Sequence, residues 1–479
     1  MDQFISSGSF ILLCISPFIS QAQNYTSWSV GNSFSVDVDH EMGLVLMGGA
    51  GEMPEAMVWF LERASGGDVL VLRCSGSDAY NDYLYSELGV DVNRVETIRC
   101  NNPNSANEPY ILDRIAEAEA VWLAGGNQHD YVQFWKDTPI EDALHALVNG
   151  RGGSIGGISA GLAVLGFGYF AASNGTVYSG SALNDPYNED MDVRYGDFLR
   201  LPFMNTVITD SHYDDPDRKG RHVAFLSRLV TDHGIAALGI GCNEYTAVCI
   251  GEDGFAHCYG EYPQYQEQVY FLRPTCLDVP APDCQQGIPL DWGFEGGALH
   301  VYVVDATEPG NRGLDLNDWS TGIGGDWENW WVEDGELMIS RVQRYFLEIK
   351  NFTSPIELNL PESHKIILDD KKDFQLNRFF YKQIGIDHYW RDRLIWSDKE
   401  WMKYVKNKNL ETHILTKGSD LVGYYEQEFH PHSNEVELIN MGVLKEFRGL
   451  KLGSILLNHA IASASRKNPI RMWVHTCSL

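Results

Sequence analysis

The stretch Gly156-Gly157-Ile158-Ser159-Ala160-Gly161 places a serine between small residues, after a short apolar run and before an apolar, glycine-containing helix pattern. A strand-to-helix turn this tight forces the serine into a strained backbone conformation and exposes its hydroxyl at the mouth of a sheet. Gly or Ala beside it avoids the clashes that larger residues would make. The pattern reads as a nucleophile elbow. The N–H of Ala160 falls in the first turn of the following helix, where it has no intrahelical acceptor and can serve an oxyanion. Taken alone, the string is equally a plain turn in a chain with 46 glycines. The catalytic reading therefore depends on a base, a third member and a second oxyanion donor.

The second donor is sought in Ala124-Gly125-Gly126-Asn127-Gln128, a glycine turn directly after the buried run Val121-Trp122-Leu123. Gly126 can bring its backbone N–H close to a reacting carbonyl, and Gln128 is read as a side chain directed into the same cleft. The base is sought in Asp210-Ser211-His212-Tyr213, which follows the strand-like Val207-Ile208-Thr209. Loops at the ends of parallel strands gather catalytic groups, so His212 is the candidate general base. Arg218 and Arg221, a few residues on, suit bidentate recognition of a substrate carboxylate. A further strand-like run, Ala236–Gly241, precedes Glu244, which could orient the imidazole and stabilise its charged form.

These turns need elements to hold them. From Gly43 the chain alternates apolar strand runs with helical patterns: Leu44–Met47, a helix from about Pro54, Val69–Leu72, another helix near Tyr80, then Val121–Leu123. Such alternation predicts an α/β fold, a parallel sheet with helices on both faces. Gly48-Gly49-Ala50-Gly51 lacks the full glycine fingerprint of a dinucleotide site and is read as a tight turn near the active site.

Charge divides the 479 residues. Residues 1–345 hold 17 Lys+Arg against 49 Asp+Glu, net −32, whereas 346–479 hold 19 against 17, net +2. Two domains are expected. The acidic part argues against a nucleic-acid partner. Phe10–Ile19 followed by Ser20-Gln21-Ala22 reads as a secretory signal over residues 1–22, so the expected location is secreted or periplasmic, and cytoplasmic if that signal does not function. No segment reaches transmembrane length, so no membrane partner is expected. Export would permit disulfides, with Cys276 and Cys284 the nearest pair. No Cys-x-x-Cys and no paired histidine spacing points to a metal.

The Gly-Gly-Asn-Gln turn, the Ser-Ala-Gly elbow, the Asp-x-His motif with trailing arginines and the segment Gly239-Ile-Gly-x-x-Glu244-x-Thr-Ala247, in that order, resemble the cyanophycinase and aspartyl dipeptidase family of serine peptidases over roughly residues 42–275. The resemblance implies a fold similar to class I glutamine amidotransferases, no cofactor, and hydrolysis of peptide bonds involving aspartate, in cyanophycinases the β-aspartyl-arginine polymer. Carried over by motif, Ser159 is the nucleophile, His212 the base, Glu244 the third member, and Gln128, Asp210, Arg218 and Arg221 are pocket residues. Two positions depart from that pattern: Ser211 replaces a glutamine, and Pro216 stands where a further arginine is expected.

Residues 276–345 are Trp-rich and read as a β-rich extension packed on the 23–275 domain, its aromatics forming core. Beyond 345, helix patterns at Phe374–Ile384 and Asp398–Lys406 precede strand runs at His413–Lys417, Val422–Phe429 and Val436–Val443. Arg448-Gly449-Leu450-Lys451-Leu452-Gly453 then opens an apolar helix, an arrangement whose backbone N–H groups can cradle a pyrophosphate. This resembles the coenzyme A site of GNAT-type N-acetyltransferases, with Lys451 in place of the middle glycine, and implies acetyl-CoA as cofactor held at Arg448, Gly449, Lys451 and Gly453. Ile470–Thr476 is similar to that family's fifth strand, so the α+β domain at 346–479 reads as truncated, with an open sheet edge and no acetyl transfer expected. The function read is thus a serine exopeptidase acting on aspartyl peptides, fused to a GNAT-type domain, with a homodimer left open. The alternative is a peptide-binding pseudoenzyme whose only activity is acetyl transfer by the C-terminal domain.

Overall fold

The computed structural model describes residues 23–275, 281–294, 297–341, 344–350, 352, 360–388, 390, 393–394 and 396–477. The signal-like segment 1–22 and Cys276 lie outside the described residues.

Three sheets organise the chain. The first has ten strands, in the order Tyr25–Gly31, Arg94–Cys100, Asp68–Arg73, Ala120–Leu123, Ser154–Ile158, Leu44–Met47, Ala247–Ile250, Phe255–Tyr259, Gly313–Asp315 and Gly322–Ile323. Its centre, from Arg94–Cys100 to Leu44–Met47, is parallel throughout. Leu44–Met47, Ala120–Leu123 and Ser154–Ile158 are buried along their whole length, as strands covered on both faces require. The helix Pro54–Arg63 connects Leu44–Met47 to Asp68–Arg73, with Pro at its start, Glu55 in the first turn and Arg63 in the last, each complementing the helix dipole or its orphan donors.

The second sheet has eight strands, in the order Glu336–Arg341, Gly325–Glu333, Leu299–Asp305, Gln268–Pro274, Leu238–Cys242, Val207–Asp210, Gly168–Phe170 and Val193–Tyr195. Val207–Asp210 and Leu238–Cys242 run parallel, and the rest of the 268–341 segment adds antiparallel strands. The two sheets share one core, in which Leu46, Ile155, Val207, Ile240, Val248 and Phe271 pack together. The runs Leu44–Met47, Val69–Leu72 and Val121–Leu123 all lie in the parallel centre of the first sheet, whereas Val207–Asp210 and Leu238–Cys242 belong to the second, so the strand before Ser159 and the strand before His212 hydrogen-bond to different neighbours.

Residues 276–345 complete both sheets instead of forming a separate layer. Gly313–Asp315 extends the first, and Leu299–Asp305, Gly325–Glu333 and Glu336–Arg341 extend the second. Trp319 and Trp327 lie in the core shared by the sheets, and Trp292 and Trp330 in the core under the second. Cys284 keeps a free, buried thiol, 3.5 Å from Ser227 Oγ.

The third sheet has six strands, in the order Arg344–Ile349, Arg471–Cys477, Glu435–Val443, Asp420–His430, Leu410–Lys417 and His364–Leu368. Helices Phe374–Gly385, Asp398–Val405 and Leu452–Ser465 accompany it, the second opened by a capping box between Ser397 and Glu400. Glu435–Val443 and Arg471–Cys477 pair in parallel only at Glu435–Glu437. The open edge expected beside the last strand is absent: Arg344–Ile349 pairs antiparallel along Arg471–Cys477. That strand also runs across the 345/346 division drawn from charge. Two residues separate it from Glu336–Arg341 of the second sheet.

Candidate active site

Ser159 follows the buried strand Ser154–Ile158 and precedes the short helix Ala160–Ala163, with φ 54° and ψ −112°. A non-glycine residue held there costs of order 1–3 kcal/mol, so the surroundings must enforce it. They do so by close approach. A Cβ on Gly157 would lie 2.6 Å from the Gly161 carbonyl carbon, and one on Gly161 would lie 2.1 Å from the Leu123 carbonyl oxygen. The glycines flanking the serine exist because strand, turn and helix pack backbone against backbone.

Ser159 Oγ lies 2.7 Å from His212 Nε2, and His212 Nδ1 lies 2.5 Å from Glu244 Oε1. The carboxylate can only accept, so Nδ1 carries the proton and Nε2 is left to accept from the serine hydroxyl. The three side chains come from two sheets. His212 follows Val207–Asp210, and Glu244 sits on the crossing from Leu238–Cys242 in the second sheet to Ala247–Ile250 in the first.

The Gly48–Gly49 turn at the end of Leu44–Met47 ties these parts together. The Gly48 carbonyl accepts from the His212 N–H at 2.9 Å, the Gly49 carbonyl accepts from the Tyr245 N–H at 3.0 Å, and the Gly48 N–H donates to the Thr246 carbonyl at 2.8 Å. Gly49 has φ +130°, and a Cβ there would stand 2.4 Å from His212 Cε1. The turn lies near the site, as its sequence suggests, and its task is to let the imidazole pack on bare backbone. Asp214 supplies another brace, its Oδ1 accepting from the Glu244 N–H at 2.8 Å.

The turn carrying Gly125 and Gly126 lies beside the nucleophile, since a Cβ on Gly125 would be 3.7 Å from Ser159 Cβ. Asn127 caps the next helix, Gln128–Trp135, by accepting from the His129 N–H, and Gln128 is half-buried at its first position. Ala160, at the first position of its own helix, keeps a backbone N–H with no partner four residues back within that helix.

The remaining pocket candidates separate. Asp210 and Arg221 are each 3% exposed and hold one another: Arg221 Nε donates to Asp210 Oδ2 at 2.8 Å and Nη2 to Oδ1 at 2.5 Å. Arg221 Nη1 reaches Thr176 Oγ1 and the Val177 carbonyl, both at 3.1 Å. Burial raises the Asp210 pKa, but Arg221, with smaller help from His222 and Arg218, more than offsets this and holds it below the usual carboxylate value. Neither residue is open to a substrate, so their assignment as pocket residues is corrected: a buried carboxylate needs a cation, and the adjacent helix provides it. Arg218 differs. It is half-buried, its Nη1 donates to the Ser211 carbonyl at 3.0 Å, and no carboxylate among the described residues forms an ion pair with it. Burial and the neighbouring Arg221 lower its pKa.

In the C-terminal sheet, Gly449 has φ 80° and Lys451 φ 61°, with Lys451 capping the 14-residue helix Leu452–Ser465. A Cβ on Gly449 or Gly453 would meet nothing within 4 Å, so the turn is open to an anion along its backbone. The side chain of Arg448 is engaged elsewhere, Nη1 on Asp387 at 2.6 Å and Nε on the Val443 carbonyl at 3.1 Å. What the turn offers a pyrophosphate is backbone N–H groups. No group of three or more His, Cys, Asp or Glu side chains that could hold a metal occurs among the described residues.

An elbow serine, a histidine and a glutamate in hydrogen-bonded series on an α/β scaffold form a relay of the serine-hydrolase kind. Residues 77–258 match the model of peptidase family S51, and residues 374–478 match that of the acetyltransferase (GNAT) family. The two matches fall on separate regions of the chain. Curated relatives include cyanophycinases from Trichormus variabilis, 26% identical over 178 residues, which are 37% of this chain and 54% of that protein, and from Synechococcus elongatus, 25% identical over 228 residues, 46% of this chain and 66% of that one. The chain spans about half the length of the first of these relatives. Among solved structures, a peptidase from an acI-B1 Actinobacterium superposes with a TM-score of 0.37 at 16% identity, covering 48% of this chain and 91% of that one.

Proposed function

We propose that the N-terminal part of the chain is a serine peptidase that cleaves peptide bonds of aspartyl residues, as the resemblance of its motifs to the cyanophycinase and aspartyl dipeptidase family implies. The observation that carries this reading is the series Ser159 Oγ to His212 Nε2 to Glu244. His212 takes the hydroxyl proton as Ser159 attacks the scissile carbonyl and returns it to the leaving amine, while Glu244 stabilises the imidazolium. The Gly126 and Ala160 N–H groups meet the oxyanion. Water then releases the acyl group by the same path. Arg218, with Gln128 beside the nucleophile's turn, takes an acidic group next to the scissile bond. A preference for acidic peptides follows from the Arg218 cation.

Reaction with a fluorophosphonate probe, followed by turnover of β-aspartyl-arginine, α-aspartyl and neutral dipeptides, tests the reading. Labelling lost in Ser159→Ala, with neutral dipeptides poorest, supports it; absence of labelling in folded protein overturns it in favour of a peptide-binding pseudoenzyme.

The GNAT match over residues 374–478 supports acetyl-CoA as co-substrate, which the backbone of Gly449–Gly453 would hold and which would supply the acetyl thioester. Export through residues 1–22 remains part of this proposal and is tested by fractionating the native source and measuring the mature N-terminus.

A further inference from the structure

Asp210, Ser211 and Tyr213, the residues flanking the base in the chain, are held from one side by three side chains of a single short segment. Arg221 grips the Asp210 carboxylate, Arg218 donates to the Ser211 carbonyl at 3.0 Å, and His222 lies 3.0 Å from the Tyr213 hydroxyl. All three come from the start of the helix Lys219–His233 or the residue before it. His212 itself takes nothing from that helix; its N–H goes to Gly48 and its Nδ1–H to Glu244.

The Tyr213–His222 contact is built, not incidental. Both residues are wholly buried. His222 Nε2 is 3.2 Å from the Ile208 carbonyl, which can only accept, so Nε2 bears the proton and Nδ1 is a bare acceptor for the Tyr213 O–H. Burial pushes the His222 pKa down to about 4, so the ring stays neutral and keeps that tautomer at ordinary pH. Two glycines on Leu238–Cys242 make the room: a Cβ on Gly239 would lie 2.7 Å from His222 Nε2, and one on Gly241 would lie 2.5 Å from Tyr213 Cε2. The Tyr213 N–H also donates to the Cys242 carbonyl at 3.1 Å, two residues before Glu244. Tyr213 is thereby fixed against the strand that leads into the third member of the relay.

His212 has φ 48°, a left-handed conformation that a non-glycine residue keeps only when its neighbours are constrained. We propose that the 218–222 segment is a clasp that positions the general base, with Tyr213 and His222 as positioning residues acting through the backbone of His212. This rests on the peptidase reading for its kinetic consequence, but its structural content does not. A loosened clasp lets the imidazole drift from both Glu244 and Ser159, and small misplacements of a base cost large factors in rate.

The test uses the full chain with Tyr213→Phe, which keeps the ring, and His222→Gln, which keeps a polar side chain. The rate of fluorophosphonate labelling of Ser159 is measured against pH. In parallel, the downfield proton resonance of His212 Nδ1–H, assigned by its loss in His212→Ala, is recorded. Each variant is expected to lower the labelling rate about tenfold, move the acid limb of the pH profile to lower pH and shift or broaden the resonance, with the double variant no worse than either single one. A folded Tyr213→Phe with unchanged pH profile and unchanged resonance overturns the clasp, even if its melting temperature falls. If the wild type does not label at all, the peptidase reading fails, and the resonance alone still decides whether Tyr213 and His222 position His212.

Discussion

The two glycine-marked turns, Gly156–Gly161 around Ser159 and Arg448–Gly453 before the C-terminal helix, look alike in sequence and differ in what surrounds them. At the elbow, Cβ atoms on Gly157 and Gly161 would collide with backbone at 2.6 and 2.1 Å. At the C-terminal turn, Cβ atoms on Gly449 and Gly453 would meet nothing within 4 Å. The first set of glycines lets protein pack on protein and so freezes a reacting side chain. The second leaves backbone N–H groups accessible, and only Gly449, with φ 80°, uses glycine's conformational freedom. A glycine motif therefore signals close approach in one place and an open cradle in the other.

The largest expected break in this comparison is chemical. Ser159→Ala and His212→Ala should each lower kcat/KM on an aspartyl dipeptide by about 10⁴-fold or more, and the double variant should be little worse, because the pair acts as a unit. Steady-state assays on the three proteins check this, and additive losses would contradict it. No substitution in Arg448–Gly453 should change that rate.

Next is the division between the arginines. Arg221→Ala leaves the Asp210 carboxylate buried without its cation and should destabilise the fold by about 3–5 kcal/mol. Arg218→Ala should leave the denaturation midpoint nearly unchanged, raise KM for acidic dipeptides and, through the lost bond to the Ser211 carbonyl, lower kcat as well. Chemical denaturation and substrate titration of the same two variants separate the roles, and equal destabilisation by both would erase the distinction.

The buried His222 adds a pH term that the exposed C-terminal turn lacks. Its pKa is about 4 in the fold, below the unfolded histidine value, because burial outweighs the raising influence of Asp210. The unfolded chain takes the proton first, so the stability it contributes is complete above about pH 6.5 and is lost as pH falls toward 4, at most about 3 kcal/mol. Asp210, held below its usual value by Arg221, loses its share further down in the same direction. Denaturation of the wild type and His222→Gln between pH 4 and 7 should show a shallower pH slope in the variant.

The smallest effect sharpens the comparison directly. Gly49→Ala places a methyl against the His212 ring and should lower the labelling rate of Ser159 about 10²-fold while the protein stays folded. Gly453→Ala, facing open space, should leave both labelling and melting temperature unchanged.

Much of the site could be read along the chain because its members stand at element ends marked by Gly, Asp and His in a fixed order. Ser159, His212 and Glu244 are legible for that reason, as is the α/β alternation from Leu44 to Leu123. The tryptophans of 292–330 also fall in cores, where a large apolar area is best removed from water. What could not be read is which partner each polar group takes. Arg218 and Arg221 are identical letters three apart, yet one lies buried on Asp210 and the other stays half-open, because Arg221 sits inside the first turn of the helix whereas Arg218 stands before it with non-helical backbone.

Sequence by itself determined the order of elements, the candidate reacting groups and the charge contrast between residues 1–345 and 346–479, since these depend on local pattern and composition. Tertiary structure alone decided that the relay spans two sheets, that Gly49 supports the imidazole, that Arg344–Ile349 covers the edge of Arg471–Cys477, and that three side chains from Arg218–His222 hold the neighbours of the base from one side. Each of those is a contact between residues far apart in the chain, and pairings of that kind are chosen by the packing of whole elements, which no local run of residues encodes.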